Sequence, residues 1–353
     1  MDEKIKIKER SVSGNVSLLY ALKLMGSTGF RSLLVLDTDE YFIGILSIGD
    51  IQRAIIKNLP LTIEVIEVLR ANPRIADHNT SLEKIKEEML QYRMEFMPVV
   101  ANKQVVKMYF WEDLFLDKKL PPKAQFNNPV VIMAGGIGSR LKPLTNVLPK
   151  PLIPVGERTI IEEIFERFGN YGCRDFYISL NYKADLIEYY LKNQNLPYRI
   201  SFFREEKPMG TAGSLFLLEG RINDTFFVSN CDILIEQDYS EILDFHRENK
   251  NEITIVAALK HFPIAYGTIE TGINGQLIKL LEKPELTFKI NSGMYILEPH
   301  LLNEIPGNHI FHITQLIEKV LERKGKAGVF PVSERSWNDI GSWEEYKSIL
   351  NKK

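Results

Sequence analysis

A chain of 353 residues, 44% of them hydrophobic and 25% charged, has the make-up of a folded protein of two or three domains and excludes a disordered or fibrous one. The formal net charge is -2, and acidic and basic residues also balance over 1–120, so there is no concentrated positive stripe and nucleic acid is not an expected partner. Two cysteines, Cys173 and Cys231, cannot make a disulfide framework, the opening residues lack the apolar core of a signal peptide, and no apolar run reaches membrane-spanning length. A cytoplasmic location without a membrane partner is expected.

The first third repeats itself. Ser17-Leu18 through Met25 is echoed by Ser81-Leu82 through Met89, Leu33-Leu34-Val35-Leu36 by Met97-Pro98-Val99-Val100, and Asp50 by Asp113. Each copy reads as an amphipathic helix, a short apolar strand, a turn, a second strand and a closing helix, over 1–60 and 61–118. Two such units bury apolar faces against each other that neither could bury alone. The pattern resembles a tandem pair of CBS domains, α+β regulatory modules that bind adenine nucleotides. In that family a small hydroxyl residue and an Asp three positions on hold a ribose, which here are Ser47 and Asp50. The second copy departs from the pattern, with Lys107 in place of Gly44 and Phe110 in place of Ser47, so one ribose site is expected at most. The competing expectation is that Asp50 and Asp113 N-cap the closing helices.

Residues 119–128, with Pro121-Pro122, read as an extended linker. From 129 to 353 strands alternate with helices. Strands are predicted over 130–133, 175–179, 199–203, 225–228, 253–258 and 294–296, and helices over 160–168, 183–192, 211–218 and 239–249. That alternation predicts one α/β domain with a Rossmann-like, mostly parallel sheet.

The first of these strands runs directly into Ala134-Gly135-Gly136-Ile137-Gly138-Ser139-Arg140-Leu141. A glycine-rich turn after a buried strand lets backbone N–H groups close on phosphate oxygens. Neither the dinucleotide nor the Walker version fits, since Leu141 stands where the third glycine would be and no Gly-Lys-Ser/Thr follows. Arg140 and then Pro149-Lys150-Pro151 follow instead, and two cations beyond a phosphate cradle suit a triphosphate and a leaving pyrophosphate. Residues 134–155 resemble the opening motif of the sugar-1-phosphate nucleotidyltransferases.

That resemblance implies roles for Arg140 and Lys150 on the triphosphate. It makes Glu206 and the Gly210-Thr211-Ala212-Gly213 loop the base-reading segment, in a form closest to guanylyltransferases acting on mannose 1-phosphate and related sugars. Thr211 is also placed to cap the helix after it. Asp232, in Ser229-Asn230-Cys231-Asp232, and Asp339, in Trp337-Asn338-Asp339-Ile340-Gly341, become the two ligands of Mg2+, a cation that prefers one or two carboxylates with phosphate oxygens. Cys231 reads as a small packing residue. Tyr266, Gly267, Glu282, Lys283 and Asn291 match the family's sugar-phosphate contacts. His309 and His312 lack a third ligand nearby and are expected to be structural.

The expected reaction joins a nucleoside triphosphate, GTP first and CTP or UTP after it, to a sugar 1-phosphate, and Asp232→Asn is expected to lower turnover with little loss of folding. A CBS pair joined to this domain resembles guanylyltransferases for glucosamine 1-phosphate in nonulosonic (legionaminic) acid synthesis, with mannose or heptose 1-phosphate as alternatives. A nucleotide-sensing protein without turnover is the competing class, and a homo-oligomer is compatible with either.

Overall fold

The computed structural model describes residues 3–115 and 122–350. The predicted end of the second repeat, 116–118, and the start of the linker, 119–121, lie outside them. Two compact units divide at Lys123 and Ala124.

In the first unit, α1 (Glu3–Glu9), β1 (Ser11–Ser13), α2 (Leu18–Thr28), β2 (Ser32–Leu36), β3 (Phe42–Ser47) and α3 (Ile48–Ile56) form one copy of the repeat. The other copy is α4 (Leu82–Tyr92), β4 (Phe96–Ala101), β5 (Gln104–Phe110) and α5 (Trp111–Leu114). The sequence echo is structural: Ser17 and Ser81 each N-cap a helix, accepting from the backbone N–H of Tyr20 and Lys84. Leu34 of the first copy packs with Phe96, Met108 and Phe110 of the second, so the two copies share a core. The guanidinium of Arg10 lies 3.9 Å from the Phe30 ring centre and 4.9 Å from that of Phe110, fastening the same seam.

The second unit opens on residues read from sequence as linker. From Gln125 onward they belong to the domain. Phe126 stacks on Tyr171 and Phe227, and the Asn128 side chain donates to the Thr225 carbonyl at 2.7 Å. An aromatic ring able to bury its area in this core is not left in a solvated tether.

Then follow β6 (Val130–Met133), α6 (Leu144–Val147), the short ribbon β7 (Pro154–Val155) with β8 (Arg158–Thr159), α7 (Ile160–Gly169), β9 (Asp175–Leu180), α8 (Ala184–Asn193), β10 (Arg199–Arg204) and β11 (Phe226–Asn230). The remainder is β12 (Ile233–Ile235), α9 (Tyr239–Asn249), β13 (Ile253–Pro263), β14 (Thr268–Thr271), β15 (Leu277–Leu281), β16 (Glu285–Leu297), α10 (Ile313–Glu322), β17 (Ala327–Val332), β18 (Trp337–Asp339) and α11 (Trp343–Leu350). Helix α7 shows why the chain folds this way. Thr159 and Glu162 form a capping box at its start, and Ile160, Ile161, Ile164, Phe165 and Phe168 form a buried stripe at helical spacing. Each such side chain contributes roughly 1.5–3 kcal/mol on burial.

The main sheet has seven strands in the order β10-β9-β6-β11-β16-β13-β17. Neighbours pair in parallel except where β16 meets β11 and β13. The mostly parallel sheet expected from sequence is therefore present. Some details differ from the predicted elements, and β17 is not among them. The helix over 211–218 is a 3-10 stretch confined to Gly213–Leu218, and β17, whose sequence holds Gly328 and Pro331, is a strand at the sheet edge, where proline is tolerated. From β6 the chain winds outward through β9 and β10, then returns to the other side of β6 as β11. The order thus reverses between β6 and β11, and open α/β sheets bind ligands in the crevice beyond the carboxyl ends of strands at such a point.

Candidate active site

That crevice receives the glycine turn from β6 and Asp232 from β11. Asn230 pairs with Met133 in register, and the Cys231 N–H donates to the Met133 carbonyl at 3.3 Å, so the two strand ends emerge side by side. Asp339 arrives from the end of the chain because β18 pairs with β12. Ile233 lies opposite Asp339, and the Ile340 N–H donates to the Asp232 carbonyl at 2.8 Å. The two aspartates are thus neighbours through backbone pairing.

The turn itself is fastened in three places. Gly138 has a φ of +67° and lies where a Cβ would come within 2.8 Å of Thr145, so glycine is required there, and the Thr145 hydroxyl donates to the Gly138 carbonyl at 2.9 Å. Tyr182 donates its hydroxyl to the Thr145 carbonyl, and the Lys183 ammonium donates to the carbonyls of Asn146 and Val147 at 2.6 and 2.7 Å. Ala134 is buried, with its N–H spent on the Ser179 carbonyl, whereas Gly136, Ser139 and Arg140 are exposed to an incoming ligand. Around Gly341, a Cβ would meet Asp339 Oδ1 at 2.6 Å and Arg140 Nη2 at 2.9 Å, which places that guanidinium beside the second aspartate.

Lys150 is buried and its ammonium pairs with the Asp232 carboxylate. The Asp339 Oδ1 atom is buried without a hydrogen-bond partner. Burial first, and then the negative charges of Asp232 and Glu345, push the Asp339 carboxyl up to about 6, against the pull of Lys150 and Arg140. An orphaned carboxylate oxygen beside a second carboxylate is a donor set that suits a hard divalent cation, so these residues fit Mg2+. Cys231 is buried and its thiol is pushed up to about 12 by burial, which makes it inert as a nucleophile.

The base loop is ordered differently from the expectation. Thr211 does not cap the residues after it: its hydroxyl accepts from the Ile313 N–H and so caps α10, far along the chain. Gly210 has a φ of +81°, and a Cβ there would lie 2.6 Å from the Phe311 carbonyl oxygen. Its glycine is demanded by the packing of 209–213 against 309–312, where Ala212 donates to Phe311 and Phe311 to Met209. Gly210→Ala is expected to destabilise the domain by about 2–3 kcal/mol, read as a lowered urea midpoint at unchanged slope. His312 stands at the N-cap position of α10, its backbone N–H donating to the Gln315 side chain at 2.7 Å, and the His309 ring bonds the Gly307 carbonyl, both structural uses.

Sequence reasoning chose Glu206, which is exposed, and passed over Glu205. The Glu205 carboxylate accepts from the Ser179 hydroxyl at 2.6 Å and the Met209 N–H at 3.2 Å, and its Oε1 lies 3.3 Å from where a Gly135 side chain would begin. It is the fixed carboxylate facing the glycine turn. Asn230 was also passed over: its amide nitrogen lies 2.6 Å from the position of a Gly293 Cβ, between the aspartates and β16. Spacing alone could have flagged Asn230, two residues before Asp232, but nothing local separates Glu205 from Glu206.

Asn291 lies on β16 beside this group, its carbonyl oxygen accepting from the Tyr295 hydroxyl at 2.8 Å and the Gly293 N–H at 3.1 Å. Tyr266, Gly267, Glu282 and Lys283 form a second group, at the end of the β13–β16 ribbon farther from the sheet. There a Gly267 Cβ would meet Glu282 Oε2 at 3.1 Å, and Lys283 holds a φ of +43° directly before Pro284, a strained conformation of the kind that clusters at functional sites.

In the first unit, Ser47 is the N-cap of α3 and Asp50 is the third helical residue of a capping box, so Asp50 does not itself N-cap. Its buried carboxylate accepts from the Ser47 N–H at 2.8 Å and from Arg70 Nε at 2.9 Å, and also pairs with Arg53. A ribose at Ser47 and Asp50 would have to displace those cations. Asp113 likewise is not an N-cap: α5 starts after Phe110, and Asp113 lies in its first turn, 3.8 Å from the Lys6 ammonium.

A doubly wound α/β domain with a phosphate-type turn and two carboxylates at its switch point defines the class, a nucleotide-handling domain. The nucleotidyl transferase family profile matches residues 129–353, and the CBS domain profile matches residues 5–57. The chain belongs to the nucleotidyl transferase family and carries a CBS domain at its N-terminal end. It is 33% identical over 227 residues to the mannose-1-phosphate guanyltransferase of Aspergillus oryzae, and 37% identical over 229 residues to that of Pichia angusta. Each alignment covers 62% of this chain and 62% of the relative, so the chain spans under two thirds of these relatives' length. Among solved structures, HddC from Yersinia pseudotuberculosis is 26% identical with a TM-score of 0.51, covering 64% of this chain and 99% of that one. The same protein complexed with GMP-PN gives a TM-score of 0.50 over the same shares. No helix among the described residues is long and apolar enough to cross a membrane.

Proposed function

We propose that this protein transfers GMP from GTP to a sugar 1-phosphate and releases pyrophosphate, with Mg2+ held by Asp232 and Asp339. The observation that carries the reading is the meeting of Arg140, Lys150, Asp232 and Asp339 beside the glycine turn, with the Asp339 Oδ1 atom left unpaired. Bound there, Mg2+ would supply charge neutralisation on the triphosphate and on the departing pyrophosphate. A sugar-phosphate oxygen attacks the α-phosphorus in line, and the bridging oxygen leaves with its electron pair on pyrophosphate. A phosphate monoester is already nucleophilic at neutral pH, so positioning and electrostatics carry the catalysis. The turn N–H groups and Arg140 hold the triphosphate, Lys150 sits against Asp232 where charge develops, and Lys283 with Asn291, Glu282, Tyr266 and Gly267 receives the sugar phosphate.

Guanine is supported by Glu205. Its carboxylate is acceptor-only and fixed in place, matching the N1–H and N2–H2 donors of guanine, whereas adenine presents an acceptor at N1. The names of the relatives and the GMP-PN complex of HddC support the same base. Glucosamine 1-phosphate is the first acceptor to test, because a CBS domain joined to this transferase domain resembles the guanylyltransferases of nonulosonic acid synthesis. Mannose 1-phosphate, for which the relatives are named, and heptose 1-phosphate compete with it. Pyrophosphate release measured across four nucleoside triphosphates and these three sugars tests the reading, with GTP expected to give the highest kcat/KM. Glu205→Gln is expected to lower kcat/KM for GTP by about 10- to 100-fold, the worth of a bidentate base contact. Nucleotide binding without pyrophosphate release from any pair would replace catalysis with sensing.

A further inference from the structure

The Glu205 carboxylate is held by more than the two donors that reach it. Ser179, on β9, and Ser214, in the 3-10 stretch Gly213–Leu218, are both fully buried, and their hydroxyl oxygens lie 3.1 Å apart. The Ser179 hydroxyl is also 2.6 Å from Glu205 Oε1. A serine has a single hydroxyl proton, and an ionised carboxylate only accepts. Ser179 therefore donates to Glu205, and the bond between the serines runs from Ser214 to Ser179. The result is a directed chain from Ser214 through Ser179 to Oε1, in which each bond polarises the next toward the carboxylate. The backbone beneath is fixed independently: the Glu205 N–H donates to the Leu180 carbonyl at 2.9 Å, and the Glu205 carbonyl accepts from the Asn181 amide at 3.0 Å. Both serines stand among apolar core residues, Ile178 and Leu180 beside one and Leu215 beside the other. Hydroxyl groups in such a place cost desolvation that only these bonds offset.

We propose that Ser179 and Ser214 are positioning residues for base selection, their hydroxyl chain setting the plane in which Glu205 meets the N1–H and N2 amino group of guanine. The inference rests on the reading of Glu205 as the guanine contact. Each carboxylate oxygen takes one donor from the protein, Ser179 on Oε1 and the Met209 N–H on Oε2, and each keeps a further lone pair. Two lone pairs on two oxygens match two donors side by side, which guanine presents on one edge and hypoxanthine does not. Such a fork discriminates only while its plane is held, because a carboxylate free to turn satisfies one donor as readily as two.

Calorimetric titration of the full chain with GTP and with ITP, in Mg2+ and without sugar 1-phosphate, reads base selection apart from turnover. ITP differs from GTP only in lacking the N2 amino group. The wild type is expected to bind GTP about 10- to 100-fold more tightly than ITP, and Ser179→Ala to narrow that ratio about 5- to 10-fold. Ser179→Cys fills the same space with a weak donor and is expected to narrow the ratio as much, and Ser214→Ala, farther along the chain of bonds, about 2- to 5-fold. In turnover these variants are expected to raise KM for GTP and to leave KM for the sugar 1-phosphate unchanged, a split that general loosening of the domain would not give. A ratio that collapses in Glu205→Gln and stays at the wild-type value in all three serine variants overturns this inference alone. Equal binding of GTP and ITP by the wild type overturns the Glu205 reading together with it.

Discussion

Asp232→Asn is expected to lower kcat by about 100- to 1,000-fold, the loss typical of removing one group that stabilises developing charge. The structure changes one part of the sequence-based expectation, that folding would be almost untouched. Lys150 is buried and its ammonium pairs with Asp232, so the amide leaves that cation without its counter-charge. Asparagine still offers a carbonyl oxygen to the ammonium, which limits the cost to about 1–3 kcal/mol. Steady-state pyrophosphate release and urea unfolding of the same preparation read both effects. Near-normal turnover would remove Asp232 from the reaction, and unchanged stability would remove the ion pair from the folded state.

Asp339→Asn is expected to abolish most activity and yet to stabilise the protein when divalent cations are chelated. The physical reason is the sign of its shift. Burial and the neighbouring carboxylates raise the folded-state value to about 6 from 3.8, so the folded chain holds this proton more tightly than the unfolded one. Stability is therefore greatest, as far as this group is concerned, below about 4 and declines as pH rises to about 6, above which the charged form carries its full penalty. Two units would be about 3 kcal/mol, and partial solvation of the side chain reduces that to about 1–2 kcal/mol. Thermal melts in chelator should show the Asn variant above the wild type at neutral pH, with the gap closing toward pH 4. The two neighbouring aspartates thus share one expected loss of activity and have opposite expected effects on stability, a contrast that a merely structural role for both would not produce.

What could be read from sequence was whatever depends on short stretches of chain. The apolar runs of β6, β9 and β11, the stripe on α7 and the echo of Ser17 in Ser81 are local patterns of hydrophobicity and capping, and they survive any rearrangement of distant parts. The glycine turn was legible as a glycine-rich turn directly after a strand, and the two aspartates only through the resemblance of their segments to nucleotidyltransferase motifs.

Folding in three dimensions decided which neighbour each of those residues has. Glu205 and Glu206 are alike in composition, and only the pairing of β9 with β10, which brings Ser179 to Glu205, separates the fixed carboxylate from the exposed one. Thr211 caps a helix that begins at Ile313, and Gly210 is glycine because the Phe311 carbonyl occupies its side-chain space. Asp232 is held by Lys150, and Asp339 is left with a buried, unpaired oxygen. Contacts of this kind are set by the pairing of strands and the packing of loops that lie far apart in the chain. They follow from burial of apolar area over the whole domain and leave no trace in any single window of sequence.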